Sequence, residues 1–188
     1  MRKIKLFGIL GVIIVTLAFL SFTPQSSQTI KAVGFYDFRC FDAQGNLKWE
    51  ELNRPNNLAD EGEYMFLDVV LRAGTAPSQF YLRLFNDTPT ETDTLSSLTG
   101  EPSGNGYAAQ LVERSATGWP TLALDSGDYQ ATSAAKNFTA SGAGWGPVTY
   151  CVLGTSTDGS GKLVSYVALS QSRTLQPGES LQVTYKLK

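Results

Sequence analysis

The sequence predicts a mainly β protein: an antiparallel β-sandwich or jelly-roll-like domain with one packed helix, preceded by an N-terminal hydrophobic helix. Three observations lead there. Eighteen Gly and eight Pro punctuate the chain, together with many Ser and Thr. Between these breaks lie short runs that alternate at period two, at roughly ten-residue spacing. One stretch, "LADEGEYMFLDVVLR", departs from that rhythm and repeats at helical period. With 188 residues, 42% hydrophobic and 17% charged, the chain can bury one core and is too apolar to be disordered.

The chain opens on "MRKIKLFGILGVIIVTLAFLSF", a basic start followed by an apolar run from Leu6 to Phe22. The run is long for a signal core (about 7–15 residues) and short for a membrane span (about 20 residues). A cleaved signal peptide is the first expectation and a retained anchor, touching a membrane through residues 4–22, the second. The polar "TPQSSQTIKA" then reads as a linker, so the expected division is 1–32 for leader and linker and 33–188 for the sandwich.

"VGFYDFRCF" and "LKWEEL" flank the turn cluster "DAQGN", which predicts a hairpin; Asp42, Gly45 and Asn46 supply its turn chemistry. "NRPNN" breaks the second strand. Asn57 is the expected helix N-cap, with Asp60 and Glu61 in an acidic first turn. Phe66, Val69 and Val70 share one face, expected to lie on the sheet, and Gly74 is the expected left-handed stop. The strands then expected are "QFYLRLF", "YAAQLVER", "WPTLAL", "SAAKNFTA", "VTYCVLGTS", "KLVSYVALS" and "SLQVTYKLK". "GEPSGNG", "DSGD", "SGAGWGP", "TDGSG" and "QPGES" separate them, and no repeat of 20–50 residues marks a solenoid or propeller.

Charge and composition exclude several functions. The net charge is −2; subtracting the +4 of Arg2, Lys3, Lys5 and Lys31 leaves −6 on the remainder, which disfavours nucleic acid as a partner. The chain has no histidine, hence no imidazole base or imidazole metal ligand. No G-x-S-x-G or phosphate-binding loop is present. Asp125 with Asp128, Asp87 with Glu91 and Asp93, and Asp158 lack the ligand ladder of a calcium loop and read as solvated turns. No catalytic residue, cofactor or metal is therefore expected, and the chain reads as a non-enzyme.

Three pairs of residues could still carry something else. Cys40 and Cys151 could form a disulfide if the domain is exported, or stay buried thiols. Trp119 and Trp145 could stack on sugar faces, or pack in the core as Trp usually does in a small sandwich. Asn86 and Asn137 each begin an N-x-Thr acceptor for N-glycosylation.

The order of a "CFDAQGNLKWEE" hairpin, an "NNLADEGEYMFLDVVL" helix, an "FYLRLFND" strand and "TDTLSSL" resembles a family of small tailed-phage structural proteins, tail-fibre-like or capsid-associated. "GYAAQLVERSATGWPT" is similar to that family's central segment, and "NFTASGAGWGPVTYCVLGTS" through "SLQVTYKLK" to its closing strands. The resemblance covers about residues 35–188 and implies a virion setting without cofactor or reaction. The leader departs from the family, whose members begin near the first hairpin. It leaves three accounts: a membrane-anchored virion protein, a related domain exported as a surface or filament subunit, and a start codon assigned upstream of the true one. The resulting expectation is a structural subunit, exported, extracellular or surface-associated, that assembles with copies of itself or with other virion or surface proteins. The alternative is a secreted carbohydrate-binding or adhesin module.

Overall fold

The structure is a computed structural model that describes residues 34–188. The expected leader, membrane contact and N-terminal helix lie outside the described residues. The rest is an antiparallel two-sheet sandwich with one α-helix, as the sequence predicts. The strands are β1 (Gly34–Phe41), β2 (Leu47–Pro55), β3 (Asn57–Leu58), β4 (Gln79–Phe85), β5 (Gln110–Glu113), β6 (Thr121–Asp125), β7 (Asp128–Thr132), β8 (Lys136–Thr139), β9 (Trp145–Gly154), β10 (Leu163–Leu175) and β11 (Ser180–Leu187). Helix α1 spans Asp60–Leu71, and a short 3-10 helix spans Leu95–Ser97.

One sheet runs β2-β1-β11-β7-β6, with β8 also paired to β11; the other runs β3-β10-β9-β4-β5. The core forms where alternation turns the same side of each strand inward. Tyr36, Phe38 and Cys40 of β1 and Leu181, Val183 and Tyr185 of β11 meet Leu82 and Leu84 of β4 and Cys151 and Leu153 of β9. β1 and β11 are in continuous register from Gly34↔Leu187 to Phe41↔Ser180, so their inward residues stand side by side. The Tyr36 hydroxyl reaches Ser165 Oγ across the sheets at 2.8 Å. Burial, with the nearby Cys151 and Tyr185, holds the Tyr36 phenol well above its usual range. Burial likewise pushes the Tyr185 phenol up to about 12.

The first hairpin closes as expected: Asp42 Oδ1 accepts from the N–H groups of Gln44 (2.9 Å) and Asn46 (2.8 Å), and Gly45 sits at φ +84°. Three other expectations are corrected. Asn57 does not cap α1. It lies in β3, which pairs with β10, and Ala59 is the N-cap. The docked face of α1 is one step round from the expected one. Gly62 and Met65 are buried, Phe66 and Val69 are partly covered, and Val70 is 75% exposed. Gly62 decides this rotation, because a Cβ there would lie 2.2 Å from the Val164 carbonyl oxygen of β10. The left-handed residue after α1 is Ala73 (φ +56°), not Gly74. Gly74 instead closes onto the helix end, its N–H donating to the Asp68 carbonyl at 2.9 Å, with no room for a side chain against Asp68.

Strand β7 is not among the expected strands, and "SAAKNFTA" contributes only Lys136–Thr139 as β8. "DSGD" is therefore the turn of a β6–β7 hairpin, with Ser126 (φ +54°) and Gly127 (φ +96°) as its two central residues. Both signs are positive, as a two-residue type I′ turn requires.

Across one side of the sandwich, Glu51 of β2 accepts from Ser170 N (2.8 Å), Ser170 Oγ (2.6 Å) and Arg173 Nη2 (2.7 Å) of β10. Burial pushes the Glu51 carboxyl up, but the hydrogen bonds from Arg173 and Ser170 outweigh it and hold the group below its usual range. The Arg173 guanidinium also lies 3.9 Å from the Trp49 ring centroid. This strap ties the edges of the two sheets together.

Candidate functional site

The sequence-predicted residues scatter over the domain rather than converge. Trp145 is 5% exposed, its ring edge-on to Tyr107 at 5.4 Å between centroids. A sugar cannot stack on it, so it is corrected from a glycan contact to a core residue. Trp119 is half-buried and wedged between Phe80 (6.1 Å) and Tyr185 (5.9 Å), both edge-on. It seals the margin of the core instead of standing out as a platform. Cys40 and Cys151 are free, buried thiols on strands of opposite sheets, β1 and β9, so the disulfide is not formed here. Burial raises both thiols, Cys151 above the range in which a thiolate forms near neutral pH. Asn86 and Asn137 are exposed.

The acid groups follow the same pattern. Asp125 pairs with Lys188 Nζ at 2.6 Å, and Asp158 accepts from Ser160 and Ser156 within its own turn. Hydrogen bonds from these partners lower both carboxyls. Asp93 accepts from the Thr90 hydroxyl and N–H, which holds it low as well. Asp60, Glu63 and Glu91 come together at the start of α1, all three exposed. They are solvated carboxylates with no enclosing wall.

Sequence reasoning missed a polar network beneath the loop after β4. Arg83 points away from the core and is covered by that loop, with Nε and Nη2 on the two oxygens of Glu101 at 2.9 and 2.5 Å. Its Nη1 donates to the Asp158 carbonyl at 2.8 Å. Tyr107 Oη donates to Glu101 Oε1 (2.7 Å) and accepts from the Leu84 N–H (2.9 Å). Burial and the Glu101 carboxylate push the Tyr107 phenol far up, so it stays neutral while it donates to Glu101 and accepts from Leu84. Every member is matched, which makes the network a structural tie.

Two surface features remain. An open cleft of about 580 Å³ at the β3–β10 edge is lined by Arg54, Asn57, Pro89, Glu91, Tyr150 and Tyr166 among others. Arg54 is held there by Nη2 donating to the Ala168 carbonyl at 3.0 Å. The second feature is exposed apolar surface. On α1, Tyr64, Leu67, Val70 and Leu71 are 55–75% exposed; on the β6–β7 hairpin, Leu122, Leu124 and Tyr129 are 63–72% exposed. These two groups leave large apolar side chains in water on a helix face and on an edge hairpin.

A family model, podophage GP4 fiber I protein gp80, matches residues 57–186. The chain belongs to this family. The match begins at β3 and ends within β11, so it takes in α1, the polar network, both apolar groups and the lining of the cleft except Arg54 and Pro55. The tailed-phage resemblance read from the sequence is thus fibre-type at the family level. No curated protein matches the chain. Among the described residues no helix is long and apolar enough to cross a membrane.

Proposed function

We propose that the protein is a non-enzymatic structural subunit of a phage virion fibre, acting through protein–protein contacts. The family match across residues 57–186 carries this reading. The exposed apolar residues of α1 and of the β6–β7 hairpin support it, because a fibre subunit spends its surface on neighbours rather than on a substrate pocket. The polar network fits the same role: it fastens a long loop to the sheet and so fixes the shape presented to a neighbour. Export remains part of the proposal only through the basic, apolar N-terminal sequence.

The test is the composition of purified particles. The protein should co-band with infectious virions in a density gradient, at several copies per particle by quantitative mass spectrometry. Recovery only from unassembled lysate or host membranes would overturn the reading.

A further inference from the structure

The β6–β7 hairpin is exposed in an unusual way. From the core outward, the register runs Leu187 of β11 to Ala131 of β7 to Leu122 of β6. Leu187 lies on the same face as the buried Tyr185, so Leu122, and by alternation Leu124 and Tyr129, continue the core-side face of the sheet. The opposite sheet does not reach them. Trp119 closes the core between Phe80 and Tyr185, and the apolar face carries on beyond that closure into solvent. Strand β6 is also the end strand of its sheet and is exposed at all five positions.

We infer that β6 pairs with β6 of a second copy of this chain, antiparallel about a two-fold axis at Ala123, joining two sheets into one. The proposal rests on the fibre-subunit reading and specifies one of its contacts.

The hydrogen-bond register is self-complementary. Asp125 and Asp128 flank the two-residue turn, so the bonded pairs within the hairpin fall at Asp125/Asp128, Ala123/Gln130 and Thr121/Thr132. The N–H and C=O groups of Leu122 and Leu124 then point out of the sheet. A two-fold at Ala123 sets Leu122 opposite Leu124 of the second copy and Leu124 opposite its Leu122, so each pair exchanges two backbone bonds. The same operation stacks four leucines on one face, flanked by the two Tyr129 rings.

Charge agrees with the register. Asp125 meets Thr121 of the second copy, so no like charges oppose each other, and the Asp125–Lys188 pair stays intact. Pro120, which has no N–H to give, would face the turn residue Ser126 and falls outside the paired stretch. The strand "TLALD" contains no Lys, no Pro and no bulge, and its one charge, Asp125, sits at its turn end, already paired with Lys188.

Crosslinking tests the axis. In the full-length protein, Ala123→Cys puts two thiols in a non-hydrogen-bonded pair, with Cα atoms about 4.5 Å apart, inside disulfide range. Mild oxidation should convert most of this variant to a covalent dimer. Thr121→Cys and Asp125→Cys should each crosslink at least tenfold less alone, and an equimolar mixture of the two should restore the dimer. Wild type, with Cys40 and Cys151 buried, should stay uncrosslinked. A monomeric Ala123→Cys, or equal crosslinking by all three single variants, would overturn the pairing. The two readings can fail separately: virions that contain the protein but do not crosslink at position 123 reject the pairing alone. Efficient crosslinking of a protein absent from virions rejects the fibre role alone.

Discussion

Replacing Arg83 by Ala should destabilise the domain by about 3–5 kcal/mol, a large part of the roughly 5–15 kcal/mol that holds a domain of this kind together. The Arg83 side chain is 5% exposed and that of Glu101 22%, so water cannot take over for the missing guanidinium. Removing it leaves the Glu101 carboxylate with only Tyr107, and the Asp158 carbonyl with no Arg donor. The guanidinium also sits 5.0 Å from the Phe85 ring centroid, and the alanine variant forgoes that cation–π attraction as well. The cost comes mainly from stranding the partner, not from the net worth of the pair in the intact protein. For that reason the double variant Arg83→Met/Glu101→Leu should be far less destabilised than the sum of its single changes. Urea unfolding followed by tryptophan fluorescence measures both. A loss under about 1 kcal/mol for Arg83→Ala would show that the network is solvated and does not fasten the loop.

The second large effect is expected at Gly62, where intrinsic propensity and packing have opposite signs. In an exposed helix, Gly→Ala gains about 1 kcal/mol. At position 62 the added Cβ would lie 2.2 Å from the Val164 carbonyl oxygen and 2.8 Å from its carbonyl carbon, both backbone atoms that cannot swing aside. Helix α1 must then lift from β10 and withdraw Met65, now 6% exposed, from the core. Gly62→Ala should therefore destabilise by about 1–3 kcal/mol despite its better propensity, in line with overpacking at a tight contact. Gly62→Val should cost more. The sign decides the matter: a Gly62→Ala protein more stable than wild type in the same urea titration would mean that α1 does not dock through Gly62.

These two sites also mark where the sequence is legible and where it is not. The strands of the central sheets can be read because burial on one side writes a period of two into them. "GFYDFRCF" and "SLQVTYKL" each show it, and they pair in full register. Strand β7, "DYQAT", carries no such trace, because it lies in a hairpin that overhangs the sandwich and buries neither face. The orientation of α1 is hard to read for a related reason. Apolar periodicity points to Phe66, Val69 and Val70, whereas the helix is seated by a glycine, whose contribution is the absence of a side chain. Its outer face also carries apolar residues, Tyr64, Leu67, Val70 and Leu71, and these blur the pattern that normally marks the inner face.

Composition does not settle the role of the tryptophans, since Trp145 packs edge-on against Tyr107, which is remote from it in sequence. The Arg83–Glu101 pair is invisible because an arginine alternating with leucines in "QFYLRLF" looks like a solvent-facing charge. Only the return of the loop over that face turns it into a buried ion pair.

Cryo-electron microscopy of purified virions carrying an epitope tag after Lys188 tests the fibre role most directly. The account predicts tag-antibody density on the fibres, and fibre density into which the two-sheet domain of residues 34–188 fits in repeated copies. Tag density confined to particle-free membranes or soluble fractions, beside fibres fully explained by other chains, would contradict it.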